Sequence, residues 1–222
     1  MNVHASAQIN TRTARPHILS AAVLMLFSVL IFSCVQEEKK VPSVMAPPPT
    51  KVMPPFRYHK LIEVKPGLDF DIVSWGRGAD SVGSLLILKS DSAKAQFTTT
   101  PYDLEGKIVE VYNTDMNVNG NPEIIILTET KVSDPETSPF DLLVFEYAQR
   151  GQPNRITAPR LSVSQRKGYR GGDRFFLQQG VLMREFPIYE GKGDSAKKTS
   201  EKRLLEYSLR GSLSISEVKP KE

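Results

Sequence analysis

The chain has 222 residues, with 29 basic against 25 acidic side chains and a single cysteine. One cysteine excludes an internal disulfide and any cysteine-built metal centre. The small positive balance falls to 27 against 25 once Arg12 and Arg15 are set aside with the N-terminal segment, and this is no nucleic-acid footprint.

The first sixteen residues carry Arg12 and Arg15 and no acid, and an apolar run follows from Ile18 to Phe32. A bilayer span needs about 20 residues, so this run is too short for one and suits the core of a signal peptide. It ends Leu30-Ile31-Phe32-Ser33-Cys34, a small residue directly before a cysteine. That ending resembles a lipoprotein signal, which implies removal of residues 1–33 and a lipid on Cys34. The expected location is the outer membrane, facing the periplasm or the cell surface, with the membrane as a partner through the lipid. Each buried methylene of such a lipid contributes about 0.8 kcal/mol of membrane affinity.

Residues 34–56 read as a tether. Prolines stand at 42, 47, 48, 49, 54 and 55, and periodic apolar content is almost nil. Glu37-Glu38 resembles the acidic export signals of some surface lipoproteins, and equally reads as a solvated linker.

From residue 57 to 216 the texture is that of one mainly antiparallel β domain, sandwich-like or barrel-like, with 217–222 as a tail. Strand-sized apolar runs lie at Phe70–Trp75, Leu85–Leu88, Ile108–Tyr112, Ile124–Leu127, Leu142–Phe145, Phe175–Leu177, Val181–Tyr189 and Leu204–Leu209. Several are unbroken apolar tetrads, the pattern of a strand buried on both faces. Leu205, Tyr207 and Leu209 instead alternate with Glu206 and Ser208, the pattern of a half-exposed strand. Asn119-Gly120, Gly171-Gly172-Asp173 and Gln179-Gly180 supply turns between runs. Pro187 inside its run predicts an edge or a bulge. No window has a sustained helical period with caps.

Chemistry-bearing residues are few. His59 is the only histidine after the signal segment, and no Gly-x-Ser-x-Gly elbow exists, so His59 is expected to be solvated and the chain non-enzymatic. Gly76-Arg77-Gly78 lacks the spacing of a phosphate loop and precedes a strand, so it reads as a loop between strands. Asp115-Met116-Asn117-Val118-Asn119-Gly120 alternates oxygen side chains ahead of a glycine, as calcium loops do. Asp115, Asn117, Asn119 and Glu123 are the candidate ligands, although an EF-hand would need a carboxylate at Ile126. The same residues also make a hairpin turn held by Asx hydrogen bonds, and the domain is expected to fold without any cofactor. Between residues 155 and 174 stand Arg155, Arg160, Arg166, Lys167, Arg170 and Arg174 against the single acid Asp173, which suits an acidic partner or a solvated face.

Two stretches together resemble a family. Val111–Leu127 reads as strand, Asp-x-Asn-x-Asn-Gly turn, Pro122-Glu123 and apolar strand. Tyr169–Phe175 is followed by Leu182, Arg184-Glu185-Phe186-Pro187 and Tyr189, then Arg203 and Tyr207-Ser208-Leu209. In this order they resemble the periplasmic inhibitors of invertebrate-type lysozyme over roughly residues 80–210. The resemblance implies a non-catalytic antiparallel β domain that plugs a lysozyme cleft with a loop. In the family that loop carries a Ser-Gly-x-Tyr-like motif. Here the matching segment, Lys131–Phe140, offers Ser138-Pro139-Phe140, which makes Ser138 and Phe140 the candidate partner-binding residues. Two other readings stand beside it: an envelope adhesion or structural module, calcium-stabilised or not, and an envelope hydrolase with an unseen carboxylate pair.

Overall fold

The computed structural model describes residues 54–77, 79–191 and 193–219. The signal segment 1–33, Cys34 and the tether as far as residue 53 lie outside the described residues. What is described is all-β, as the apolar runs predict.

Twelve strands follow one another: β1 (Phe56–Lys65), β2 (Leu68–Arg77), β3 (Ala79–Asp91), β4 (Gln96–Glu105), β5 (Lys107–Thr114), β6 (Glu123–Glu129), β7 (Phe140–Glu146), β8 (Asn154–Thr157), β9 (Arg174–Gln178), β10 (Val181–Glu190), β11 (Lys197–Arg210) and β12 (Ser212–Glu217). They form three four-stranded antiparallel sheets in chain order, β1 to β4, β5 to β8 and β9 to β12, with no closed barrel. Every strand pairs with its neighbour in sequence, so each sheet is a meander built by hairpins.

The second sheet is the middle layer. Ile124 and Ile126 of β6 pack into a core with Phe70, Ile72, Leu85 and Ile87 of the first sheet. Ile125 and Leu127, on the opposite face of the same strand, join Leu182, Tyr207, Leu209 and Leu213 of the third. Successive side chains of a strand point to opposite faces, so an unbroken apolar tetrad is what a layer covered on both sides requires. The aromatic core of the first interface is closed by Tyr147, which meets Phe70 edge-on at 4.8 Å and donates its hydroxyl to Thr100 at 3.0 Å. At the margin Lys60 reaches across to Glu110 at 2.6 Å and to the Val111 carbonyl at 2.8 Å.

Four strands have no counterpart among the predicted runs: β1, β4, β8 and β12. All four are sheet edges. An edge strand with one solvated face covers alternate residues only, as the half-buried and exposed alternation of β1 shows, and leaves no apolar run to read. His59 sits within β1, just past the tether boundary, its Nε2 2.8 Å from Asp71 of β2. Gly76 and Arg77 close β2, and Gly76 lies opposite Gly83 of β3, so they are strand rather than loop.

Two turn expectations hold at the level of dihedrals. Gln179 and Gly180 both have positive φ, +51° and +79°, the two-residue turn whose twist matches antiparallel strands. Pro187 lies beyond the end of β9 and at a register shift against β11, so it is both an edge position and a bulge. The segment between β8 and β9 carries a single helical turn, α1 (Val163–Arg166), opened by a Ser162–Gln165 capping box. Leu161 and Tyr169 on either side of it pack on Phe186 and Leu205 of the third sheet.

Candidate functional site

The connection between β6 and β7 is closed at its neck by the Thr130 amide, which donates to the Pro139 carbonyl at 2.8 Å. Residues 131–137 project beyond that neck and are exposed. The projection has its own internal order. Asp134 accepts from the Glu136 amide at 2.9 Å and from the Thr137 hydroxyl at 2.8 Å, and the Thr137 amide donates to its carbonyl at 3.0 Å. These bonds, the Glu136 amide foremost, hold the Asp134 carboxyl below the usual carboxylate range, and the positive charges of Arg166 and Arg170 add to them.

Ser138 and Phe140, the residues expected to reach the partner, are turned the other way. The Ser138 hydroxyl accepts from Arg184 Nη2 at 2.8 Å and from the Phe140 amide at 3.1 Å. Phe140 is the first residue of β7, where its ring packs edge-on against Phe175 at 5.6 Å. Proline at 139 explains the difference, since it prolongs the extended backbone into the strand where a glycine would permit a turn outward. Ser138 and Phe140 are the base of the loop, and its outward tip is 132–137.

Beneath the base lies a buried polar cluster. The Arg184 guanidinium, 4% exposed, donates through Nε to Asp173, 0% exposed, at 2.6 Å. Asp173 also accepts from the Tyr169 hydroxyl at 2.6 Å. Burial, reinforced by the Asp173 carboxylate, pushes the Tyr169 phenol up to about 12, so it remains a donor at any physiological pH. Tyr169, Phe175 and Phe186 surround the guanidinium at 5.5, 5.1 and 5.6 Å, which adds cation–π attraction to a charge that is already paired. The expected basic stripe is dispersed: Arg155 lies over Tyr102, Arg170 donates to the Gly193 carbonyl, and Arg174 lies over Phe176. Arg160 and Arg166 remain beside the loop and line a cleft of about 480 Å³ together with Arg184 and Phe140. A second cleft, of about 1100 Å³, opens on the other side of the loop between the first two sheets, lined by Tyr58, Trp75, Lys107 and Lys131.

The second candidate is the turn between β5 and β6. Asp115 caps it, accepting from the Asn119 amide at 3.0 Å and the Gly120 amide at 2.8 Å. Asn117 and Asn119 make the Asx bonds expected of them, to the Asn119 and Asn121 amides. Glu123 is fully buried, with Oε2 accepting from the Met116 amide at 2.7 Å and Oε1 without a partner. Burial, together with the neighbouring Asp115 and Glu146 carboxylates, pushes the Glu123 carboxyl up to about 7. It lines neither cleft. Glu146, which the motif reading did not include, accepts from both asparagine side-chain amides. The four sequence-predicted oxygen residues are thus brought together, and a fifth joins them from β7.

Comparison with protein-family models, with curated proteins and with solved structures returns no match, so both sites are read from their own geometry.

Proposed function

We propose that this chain is an exported, lipid-anchored, non-catalytic binding protein of the cell envelope, which engages its partner through the tip of the 130–139 loop. The partner class is a lysozyme whose cleft admits that tip. The observation that carries the reading is the bracing of the loop: an exposed tip, ordered from within by Asp134 and clamped at its base by Ser138, Arg184 and Asp173. A loop that is already rigid loses little entropy when it is buried in a partner, and its gross contacts are retained as affinity. An adhesion or structural module without an enzyme target is the second reading, and the oxygen-rich turn at 115–123 is the observation that favours it.

The test separates tip from base. Replacing residues 132–137 by a Gly/Ser segment of equal length is expected to abolish inhibition of an invertebrate-type lysozyme while leaving the thermal midpoint within a few degrees of the parent. Inhibition that survives this replacement would remove the loop from the interface.

A further inference from the structure

Glu123 of β6 and Glu146 of β7 stand directly opposite each other in the strand register. Like charges in that relation destabilise a sheet. Asp115 immediately precedes Met116, whose amide donates to Glu123 Oε2, and among the described residues no lysine or arginine is paired with any of the three. Glu123 has no solvent exposure, and its Oε1 lacks a hydrogen-bond partner. A buried oxygen without a donor is costly, and a carboxylate facing two others is more so.

The groups now facing Glu146 show what belongs between them. Asn117 Nδ2 and Asn119 Nδ2 both donate to the same oxygen, Glu146 Oε1, at 3.0 and 2.7 Å. These two partially positive groups stand where a cation would stand. Among the described residues no three acidic, histidine or cysteine side chains are gathered closely enough to hold a metal ion, so an arriving cation must draw Asp115, Glu123 and Glu146 together. Rotating each amide by a half-turn presents two oxygen ligands to the same point, but it gives up the Asx bonds from the Asn119 and Asn121 amides, a loss that coordination of the cation must offset.

We infer that the β5–β6 turn and Glu146 together form a divalent-cation site, with Asp115, Asn117, Asn119, Glu123 and Glu146 as side-chain ligands and calcium as the fitting ion. Calcium loops draw ligands from positions one, three, five, seven and nine, with glycine at six to make the sharp turn. Counted from Asp115, those positions are Asn117, Asn119, the Asn121 carbonyl and Glu123, and the sixth is Gly120 at φ +82°. The carboxylate that a helix-flanked loop brings from position twelve comes here from the adjacent strand, because position twelve is the core residue Ile126. An all-oxygen set with three carboxylates suits calcium, which tolerates irregular geometry, better than magnesium, which demands an octahedron and keeps its waters. The site is independent of which partner the 130–139 loop meets.

The experiment is calorimetric titration of chelator-treated protein with calcium chloride, alongside thermal melts with and without calcium, on the parent and on Glu146→Gln and Asp115→Asn. The parent is expected to bind one calcium and to melt at a higher temperature when it is present. Glu146→Gln is expected to weaken binding about tenfold or more, since affinity follows the ligand charge. In the metal-free state the same variant is expected to melt at or above the parent, because it relieves the facing charges, and this separates a lost ligand from a lost fold. Should Glu146→Gln fold poorly, Asp115→Asn carries the test with the same expected loss. No heat and no melting shift at millimolar calcium would overturn the inference, as would calcium affinity unchanged in both variants.

Discussion

Arg184 and Glu123 are both fully enclosed ionisable residues, and they are provided for in opposite ways. Arg184 has its counter-charge in Asp173, so its removal strands a carboxylate that has no access to water. Arg184→Ala is expected to cost about 3–5 kcal/mol, read as a fall in the denaturant midpoint. A loss below about 1 kcal/mol would mean that the pair does not brace the loop. Glu123 has no counter-charge, and in metal-free protein its proton takes that role. Its folded pKa of about 7 lies above the usual carboxylate value near 4.5, so between those values the folded chain holds a proton that the unfolded chain has released. Stability is therefore fully present below about pH 4.5 and falls as pH rises towards 7, by roughly 3 kcal/mol from this group. Chelator-treated Glu123→Gln should lose most of that slope in denaturant titrations across the window; an unchanged slope would assign it to other groups. Asp115, Asn117, Asn119 and Glu123 were legible as a set because a turn brings near neighbours together. Glu146 was not, because its place opposite Glu123 is set by strand register. Nor was the bond from Ser138 to Arg184, which joins residues from different sheets.

At the scale of the strand, what could be read depended on how many faces were covered. β6 is apolar from Ile124 to Leu127 because sheets lie on both sides of it, and β11 alternates because one of its faces is open. The edge strands β1, β4, β8 and β12 bury too little to leave an apolar run. This difference has a measurable form. Ile124→Ala and Ile125→Ala are expected to destabilise by about 2–5 kcal/mol each, although their side chains point in opposite directions. In β11, Leu205→Ala should fall in the same range, while Leu204→Ala, half-buried on the open face, should cost about 1 kcal/mol or less. Equal effects at 204 and 205, or a neutral substitution at 124 or 125, would contradict the layered arrangement. The base of the loop shows the same limit of local reading. Phe140 has an aromatic character that suits an interface, yet its packing on Phe175 makes it a half-buried residue set against the core at the start of β7.

Across the described residues, three meanders join into a stack whose middle layer extends the 130–139 loop between two clefts. The two ends of β6 lead to the two candidate sites: one enters the braced loop, and the other begins at the acidic turn. The order of turn, apolar strand and loop was readable in the sequence, but which residues of the loop face outward was not, since Pro139 and the Arg184 contact decide it. On the proposed reading, this face binds and blocks a lysozyme. The most direct measurement titrates a purified invertebrate-type lysozyme with the soluble chain beginning at residue 35 and follows residual cell-wall hydrolysis. Saturating, one-to-one inhibition by micromolar protein is expected, equivalent to about −8 kcal/mol of binding free energy or better. Full enzyme activity at that concentration would contradict it.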